Sequence, residues 1–179
     1  MVYSLDRVSV TDSLHALEWR NQHLEGLRTP WMLTEDRQRR FHADVIANPD
    51  ARARYWSVKD DTGLFVALVG LNPIQWENRI AEISLVTNPE RRGHGIGTAA
   101  VDLVFEHGFG QMGLSAIWGE CYHCNGALGF WTKIVARYQG HSTTIPSRKM
   151  WRGVLHAATW FTIDEFGWRS VYRAKQHQS

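Results

Sequence analysis

The chain has 179 residues, 44% of them hydrophobic, and a formal net charge of +2. That is enough for one well-filled core and short for two, so a single domain spanning 1–179 is the expectation. No apolar run approaches the ~20 residues that cross a bilayer, and the opening Met1-Val2-Tyr3-Ser4-Leu5-Asp6 lacks the basic-then-apolar layout of a signal peptide. A cytoplasmic chain with no membrane partner is therefore expected. The basic residues are scattered rather than gathered on one face, which argues against a nucleic-acid partner.

No repeat, low-complexity tract or linker interrupts the chain. A short strand is predicted over 2–9, then a helix capped by Thr11 or Asp12 that carries Leu14, Leu17, Glu18 and Trp19. Thr34 precedes a second helix with Phe41, Val45 and Ile46 at helical spacing, ended by Asn48-Pro49. Strands over 54–59 and 64–71 flank the turn Asp60-Asp61-Thr62-Gly63, and a third over 79–87 follows the Asn72-Pro73 break. Ile96, Ala99, Ala100, Leu103 and Val104 form the stripe of a helix that ends near Gly108 and Gly110, and 114–119 reads as a buried strand. Asn125 is placed at the start of another helix, and 135–141 and 154–163 lean towards strand. The pattern is a mixed sheet with helices packed on it.

The most telling stretch is Arg92-Gly93-His94-Gly95-Ile96-Gly97, set between an apolar strand and an amphipathic helix. Glycines admit a ligand to the backbone, and a helix N-terminus offers unpaired N–H groups to an anion. A nucleoside-triphosphate loop requires Gly-Lys before Ser or Thr, and here Gly97 is followed by Thr98 without a lysine. Gly95-Ile96-Gly97-Thr98-Ala99-Ala100 also fits the dinucleotide pattern G-x-G-x-x-A, with Glu120 ending the next strand, so a small NAD-dependent oxidoreductase stays open. Against it, Asn88-Pro89-Glu90-Arg91-Arg92 separates the strand from the first glycine, whereas the dinucleotide turn is tight.

Arg92-x-x-Gly95-x-Gly97 resembles the R/Q-x-x-G-x-G/A signature of the GNAT superfamily of acetyl-CoA-dependent N-acetyltransferases. Ala81-Glu82-Ile83 through Val86, then Pro89 to Gly97, resemble that family's strand, loop and pyrophosphate-binding helix, and Glu120-Cys121-Tyr122 with Asn125-x-Ala127-Leu128-x-Phe130-Trp131-x-Lys133 resemble the following strand and helix. Leu17-Glu18-Trp19-Arg20-Asn21 is similar to the Rim-type branch, which acetylates protein N-termini, and to branches that act on amino sugars. The resemblance implies an α/β fold with a mixed, mostly antiparallel central sheet of six to seven strands flanked by about four helices. It also implies acetyl transfer from acetyl-CoA to a primary amine, on a protein N-terminus or a small molecule, by direct attack. A catalytically weak acyl-CoA-binding module is the alternative.

An amine must be neutral to attack a thioester, so a base must take its proton. Glu82 is the candidate, sharing a strand face with Ser84 and Val86, where desolvation suits a carboxylate to accept a proton. A plain ion pair with Arg79 or Arg92 is the structural alternative. Glu120 is the second carboxylate, placed with Trp31 and Trp76 on the acceptor side. By resemblance, the Val86 N–H donates to the developing oxyanion. Leu85, Val86 and Thr87 pair with the pantetheine arm, while Arg92, Gly93, His94, Gly95, Ile96, Gly97 and Thr98 surround the pyrophosphate and Asn125 contacts the cofactor. Where many members carry a tyrosine acid, this chain has Trp131, whose indole N–H only donates; Tyr122 is the substitute. Cys121 and Cys124 read as ordinary thiols, with Cys124 made modestly reactive by a helix start, and no metal site is expected. A homodimer through an apolar, Trp-rich final strand is a further expectation.

Overall fold

The computed structural model describes residues 2–176. Strands β1 (Tyr3–Arg7), β2 (Arg54–Asp60), β3 (Phe65–Gln75), β4 (Ile80–Thr87), β5 (Ala116–Tyr122), β6 (His141–Trp151) and β7 (Val154–Asp164) form a sheet in the order β1-β2-β3-β4-β5-β7-β6. Every neighbouring pair is antiparallel except β4–β5. Five α-helices flank it among the described residues: α1 (Val10–Asn21), α2 (Glu35–Phe41), α3 (Ile96–Phe105), α4 (Leu128–Arg137) and α5 (Glu165–Gln176). No helix among those residues is long and apolar enough to cross a membrane.

Strand alternation divides the core. Val69, Leu71, Ala81, Ile83, Ile117 and Phe161 face Ile96, Ala100, Val104, Ile134 and Val135 of α3 and α4. The other face is covered in part by α1, where Ala16 packs with Val8, Phe65 and Leu68. The feature that positions the site is the one parallel pair. It is registered only at Ile80↔Ala116, Ala81↔Ile117 and Glu82↔Trp118, while β4 runs on to Thr87 and β5 to Tyr122. Beyond Glu82 the two strands part, and a gap opens through the sheet.

Several boundaries differ from the sequence expectation for identifiable reasons. Ser9, not Thr11 or Asp12, caps α1: its hydroxyl accepts the Asp12 N–H at 3.0 Å while the Asp12 carboxylate reaches back to the Ser9 N–H, a capping box. Thr34 caps α2 as expected. β3 runs through Asn72-Pro73, whose peptide is cis, by way of a bulge between Leu71 and Ile74. Residues 135–137 are helical, because Trp131, Ile134, Val135 and Tyr138 stand at helical spacing and bury one stripe. The strand follows at His141 instead. β7 lies inside the sheet between β5 and β6, so the edge on this side belongs to β6 and β7 is not available to pair with a second copy. α5 was not foreseen; it docks through Trp168, stacked on Phe109 at 5.6 Å.

Candidate active site

The glycine loop folds as the composition demands. Gly93 and Gly95 adopt φ of +83° and +75°, and a side chain added to either would meet nothing within 4 Å, so the loop's concave face is open. Gly97 packs instead against the Phe130 ring, which a Cβ there would approach to 3.1 Å. α3 begins at Ile96 without a side-chain cap, leaving its first-turn N–H groups to an outside acceptor. The loop is tethered at several points. Tyr3 Oη donates to the His94 carbonyl at 3.2 Å, Arg91 donates to Asp60 at 2.6 Å, and Arg92 donates to His23 Nε2 at 2.6 Å. His23 Nδ1 lies 3.4 Å from Glu25, so a tautomer protonated at Nδ1 satisfies both contacts.

Between this loop, α3 and α4 lies a cavity of about 560 Å³. Of the residues expected around a cofactor, Leu85, Thr87, Arg92, Gly93, Gly95, Ile96, Gly97, Thr98, Asn125 and Trp131 line it, together with Lys133 of the motif that opens α4 and with His23 and Glu25, which the sequence reading did not single out. His94 does not: its ring turns back onto the carbonyls of Arg91 and Arg92. Asn125 lines the cavity but does not begin α4, which starts at Leu128; its Oδ1 accepts the Ala127 N–H at 2.9 Å, and Gly26 packs against its amide. Trp131 stacks on Phe161 at 4.9 Å and walls the cavity.

The backbone of β4 along the gap has a defined polarity. Asn88 N–H donates to the Val66 carbonyl of β3 at 2.9 Å, and peptide groups alternate in direction along a strand. Val86 therefore points its N–H at β3. The N–H groups of Leu85 and Thr87 are the ones that face the gap.

On the opposite face, Glu82, Trp118, Glu120 and Tyr122 share the side of the sheet away from α3 and α4. Glu82 is 13% exposed, and Arg28 grips both its oxygens, Nη2 to Oε1 at 2.7 Å and Nη1 to Oε2 at 3.4 Å. The partner is thus neither Arg79 nor Arg92. Glu120, 3% exposed, accepts from Arg148 Nε at 2.6 Å, Tyr122 Oη at 3.2 Å and Arg28 Nη2 at 3.4 Å. Burial raises the Tyr122 pKa above its ordinary value, so the phenol keeps its proton through neutral pH. Arg28, Arg148 and Lys149 carry no sequence motif and were missed. Lys149, almost buried, donates to the carbonyls of Leu24, Glu25 and Leu27 and lies 4.7 Å from the centre of the Tyr122 ring, fixing the segment that presents Arg28.

The two tryptophans expected near the acceptor separate. Trp31, 55% exposed, follows Arg28 by three residues in the segment beside the acids. Trp76 sits in the β3–β4 turn under Arg54, at the end of β4 remote from the glycine loop. Cys121 is buried and its thiol is pushed up to about 11 by that burial, while Cys124 donates to the Glu25 carbonyl at 3.3 Å, four residues before the helix that was expected to activate it.

Residues 5–129, well over half the chain, match the family model for an acetyltransferase (GNAT) domain. Among solved structures, the spermidine N-acetyltransferase of Vibrio cholerae in complex with CoA and spermine is similar with a TM-score of 0.76 at 16% identity, covering 93% of this chain and 98% of that one. The spermidine/spermine N-acetyltransferase of Vibrio cholerae in complex with manganese ions gives a TM-score of 0.77 at 14% identity, covering 94% of this chain and 95% of that one. No curated protein sequence matches the chain.

Proposed function

The chain belongs to the GNAT acetyltransferase family and is an acetyl-CoA-dependent N-acetyltransferase of primary amines; from that premise we propose that the sheet gap is where its two substrates meet, with a small-molecule amine as acceptor. The observation that carries this is the parting of β4 and β5 beyond Glu82, with a cavity on one face and an acid pair on the other. The cavity fits the cofactor's chemistry. The left-handed glycines and uncapped α3 suit a pyrophosphate, Arg91, Arg92 and Lys133 add charge, and Leu85, Ala127, Phe130 and Trp131 suit an apolar arm. Acetyl-CoA supplies the acetyl group there as an activated thioester.

The chain's own groups then divide the work. The N–H groups of Leu85 and Thr87 offer donors to a carbonyl oxygen in the gap, which transfers to them the role expected of Val86. Glu82 takes the proton of the amine, directly or through water, once Arg28 has shifted from its carboxylate. Tyr122 is the proton donor to a leaving thiolate, its hydroxyl held on Glu120. Glu120, closed off by three donors, orients Arg28, Arg148 and Tyr122 rather than acting as base. The neighbour that binds spermine supports a small amine over a protein N-terminus.

Calorimetric titration with acetyl-CoA, with NAD(H) as control, combined with thiol release from an amine panel, tests this reading. Glu82→Gln is expected to retain acetyl-CoA affinity and lose roughly 10²-fold or more in turnover, the range for removal of a general base. Unchanged turnover across pH removes Glu82 from the mechanism.

A further inference from the structure

The charged groups on the acceptor side of the gap have a layout that specifies more than an amine. Both carboxylates there are already matched: Glu82 by the two Nη groups of Arg28, and Glu120 by Arg28, Arg148 and Tyr122. The third nearby acid, Glu25, is turned to His23 at 3.4 Å. The acids of the pair are 13% and 3% exposed, whereas the side chains of Arg28 and Arg148 are 58% and 51% exposed, so the layer that meets an incoming molecule is cationic. Arg148 spends only Nε on Glu120, and neither of its Nη groups has a partner among the described residues. Lys149 beside it, over the Tyr122 ring, adds a further positive charge.

A polyamine arriving there meets two guanidinium groups, and the carboxylates of Glu82, Glu120 and Glu25 described above are each already matched. Each ammonium that displaces an arginine exchanges one ion pair for another and leaves the arginine beside it, so nothing is gained and like charges are crowded. An amine that also carries an anion meets the opposite situation. Its anion takes the planar fork of Arg148 and draws Arg28 outward. Its amine then approaches a Glu82 released from its partner, and the amine proton passes to a Glu82 Oε. The wall beside this point is flat and apolar: Trp118 stands opposite Glu82 in register and Trp160 opposite Glu120, with ring centres 6.1 Å apart and planes within 26°.

We infer that the acceptor is a primary amine bearing an anionic group, carboxylate or phosphate, beside a flat or apolar body, and that Arg28 and Arg148 select it against polyamines. This rests on the transferase reading above. It also sets the chain apart from the structural neighbour that binds spermine.

The test uses matched pairs with the full chain: phenylalanine against phenethylamine, glucosamine 6-phosphate against glucosamine, with spermidine and spermine alongside. Thiol release gives kcat/KM, and calorimetry on the CoA-loaded protein gives affinity for each amine without turnover. The anionic member of at least one pair is expected to lead by about tenfold or more in both readouts, the equivalent of one charge-assisted bond. The pair that responds identifies the anion. Arg148→Gln should collapse that ratio chiefly through KM, with Arg148→Lys retaining part of it, a pattern that a purely structural role does not produce. Equal or better use of the neutral members, or of the polyamines, overturns the inference. Absence of thiol release from every amine overturns the transferase reading instead, and the affinities then decide the charge argument alone.

Discussion

Lys149→Met removes an ammonium that holds the segment before Arg28 through the carbonyls of Leu24, Glu25 and Leu27, the contact to Glu25 being 2.7 Å. Charge-assisted bonds are worth about 1.5–3 kcal/mol each, but burial lowers the Lys149 pKa, a sign that desolvation takes back part of the gain. The freed carbonyls lie near the surface and can be hydrated, so a net local loss of about 2 kcal/mol is expected, roughly 30-fold in the opening equilibrium of this segment. The amides that report it are Gly26, bonded to the His23 carbonyl at 3.2 Å, and Leu27, bonded to the Leu24 carbonyl at 3.2 Å. Native-state hydrogen exchange should show both opening faster while the amides of β3 hold. Turnover of an anionic amine should fall with them, because the loosened segment no longer presents Arg28 to the acceptor's anion beside Glu82. If the two amides exchange as in the parent protein while Tm drops, Lys149 is a general contributor to stability and the tethering argument is refuted.

Gly95→Trp places a bulky side chain at φ +75° on the open face of the loop; acetyl-CoA binding should vanish in calorimetry, and normal affinity would sink the loop assignment. Tyr122→Phe deletes the hydroxyl held on Glu120 and should lower thiol-release turnover by about 10²-fold with KM for acetyl-CoA unchanged; equal turnover leaves thiolate departure without an acid. The Thr62 hydroxyl, and after it Arg91, hold the Asp60 carboxyl below the usual carboxylate range. Its folded pKa is thus below the unfolded value of about 3.9, so its stabilisation is fully present above that pH and is lost as pH falls towards the folded value. Chemical denaturation should show this acid-side loss in the parent and not in Asp60→Asn; parallel curves for the two would show that Asp60 contributes no such dependence.

The parts of this molecule legible in its sequence are those whose cause is local. The hairpin turn at 60–63, the α3 stripe and the glycine loop each follow from neighbours a few residues apart, and each lies near where that chemistry puts it. β6 was hidden because it is an edge strand, polar along most of its length, with Lys149 its one buried residue and no alternation to read. α5 was missed although Trp168, Val171 and Tyr172 stand at helical spacing and pack on the core. The site divides the same way. Glu82 and Glu120 are visible as acids on apolar strands, but Arg28 and Arg148 reach them from 54 and 28 residues away, and Lys149 reaches Leu24 across 125. No spacing rule connects such residues. Only the order of the strands does.

That order also explains why the segment around residues 23–28 matters to both substrates. A gap in a sheet leaves backbone donors of β4 without a strand partner, and something must cover the opening when it is empty. Here the cover is a single short stretch: His23 engages Arg92 of the glycine loop, Gly26 rests on Asn125, and Arg28 closes over Glu82 and Glu120. Its own helical content is one short turn, and it is held in part by side chains from β6 and the β5–α4 loop. A cofactor that draws Arg92 away from His23 and an acceptor that draws Arg28 away from Glu82 therefore pull on the same few residues. Binding of the two should be coupled through them, so that calorimetry of an anionic amine on the CoA-loaded and CoA-free protein gives different affinities, and the difference should shrink in His23→Ala. Equal affinities in both states would show that the segment serves the two substrates independently.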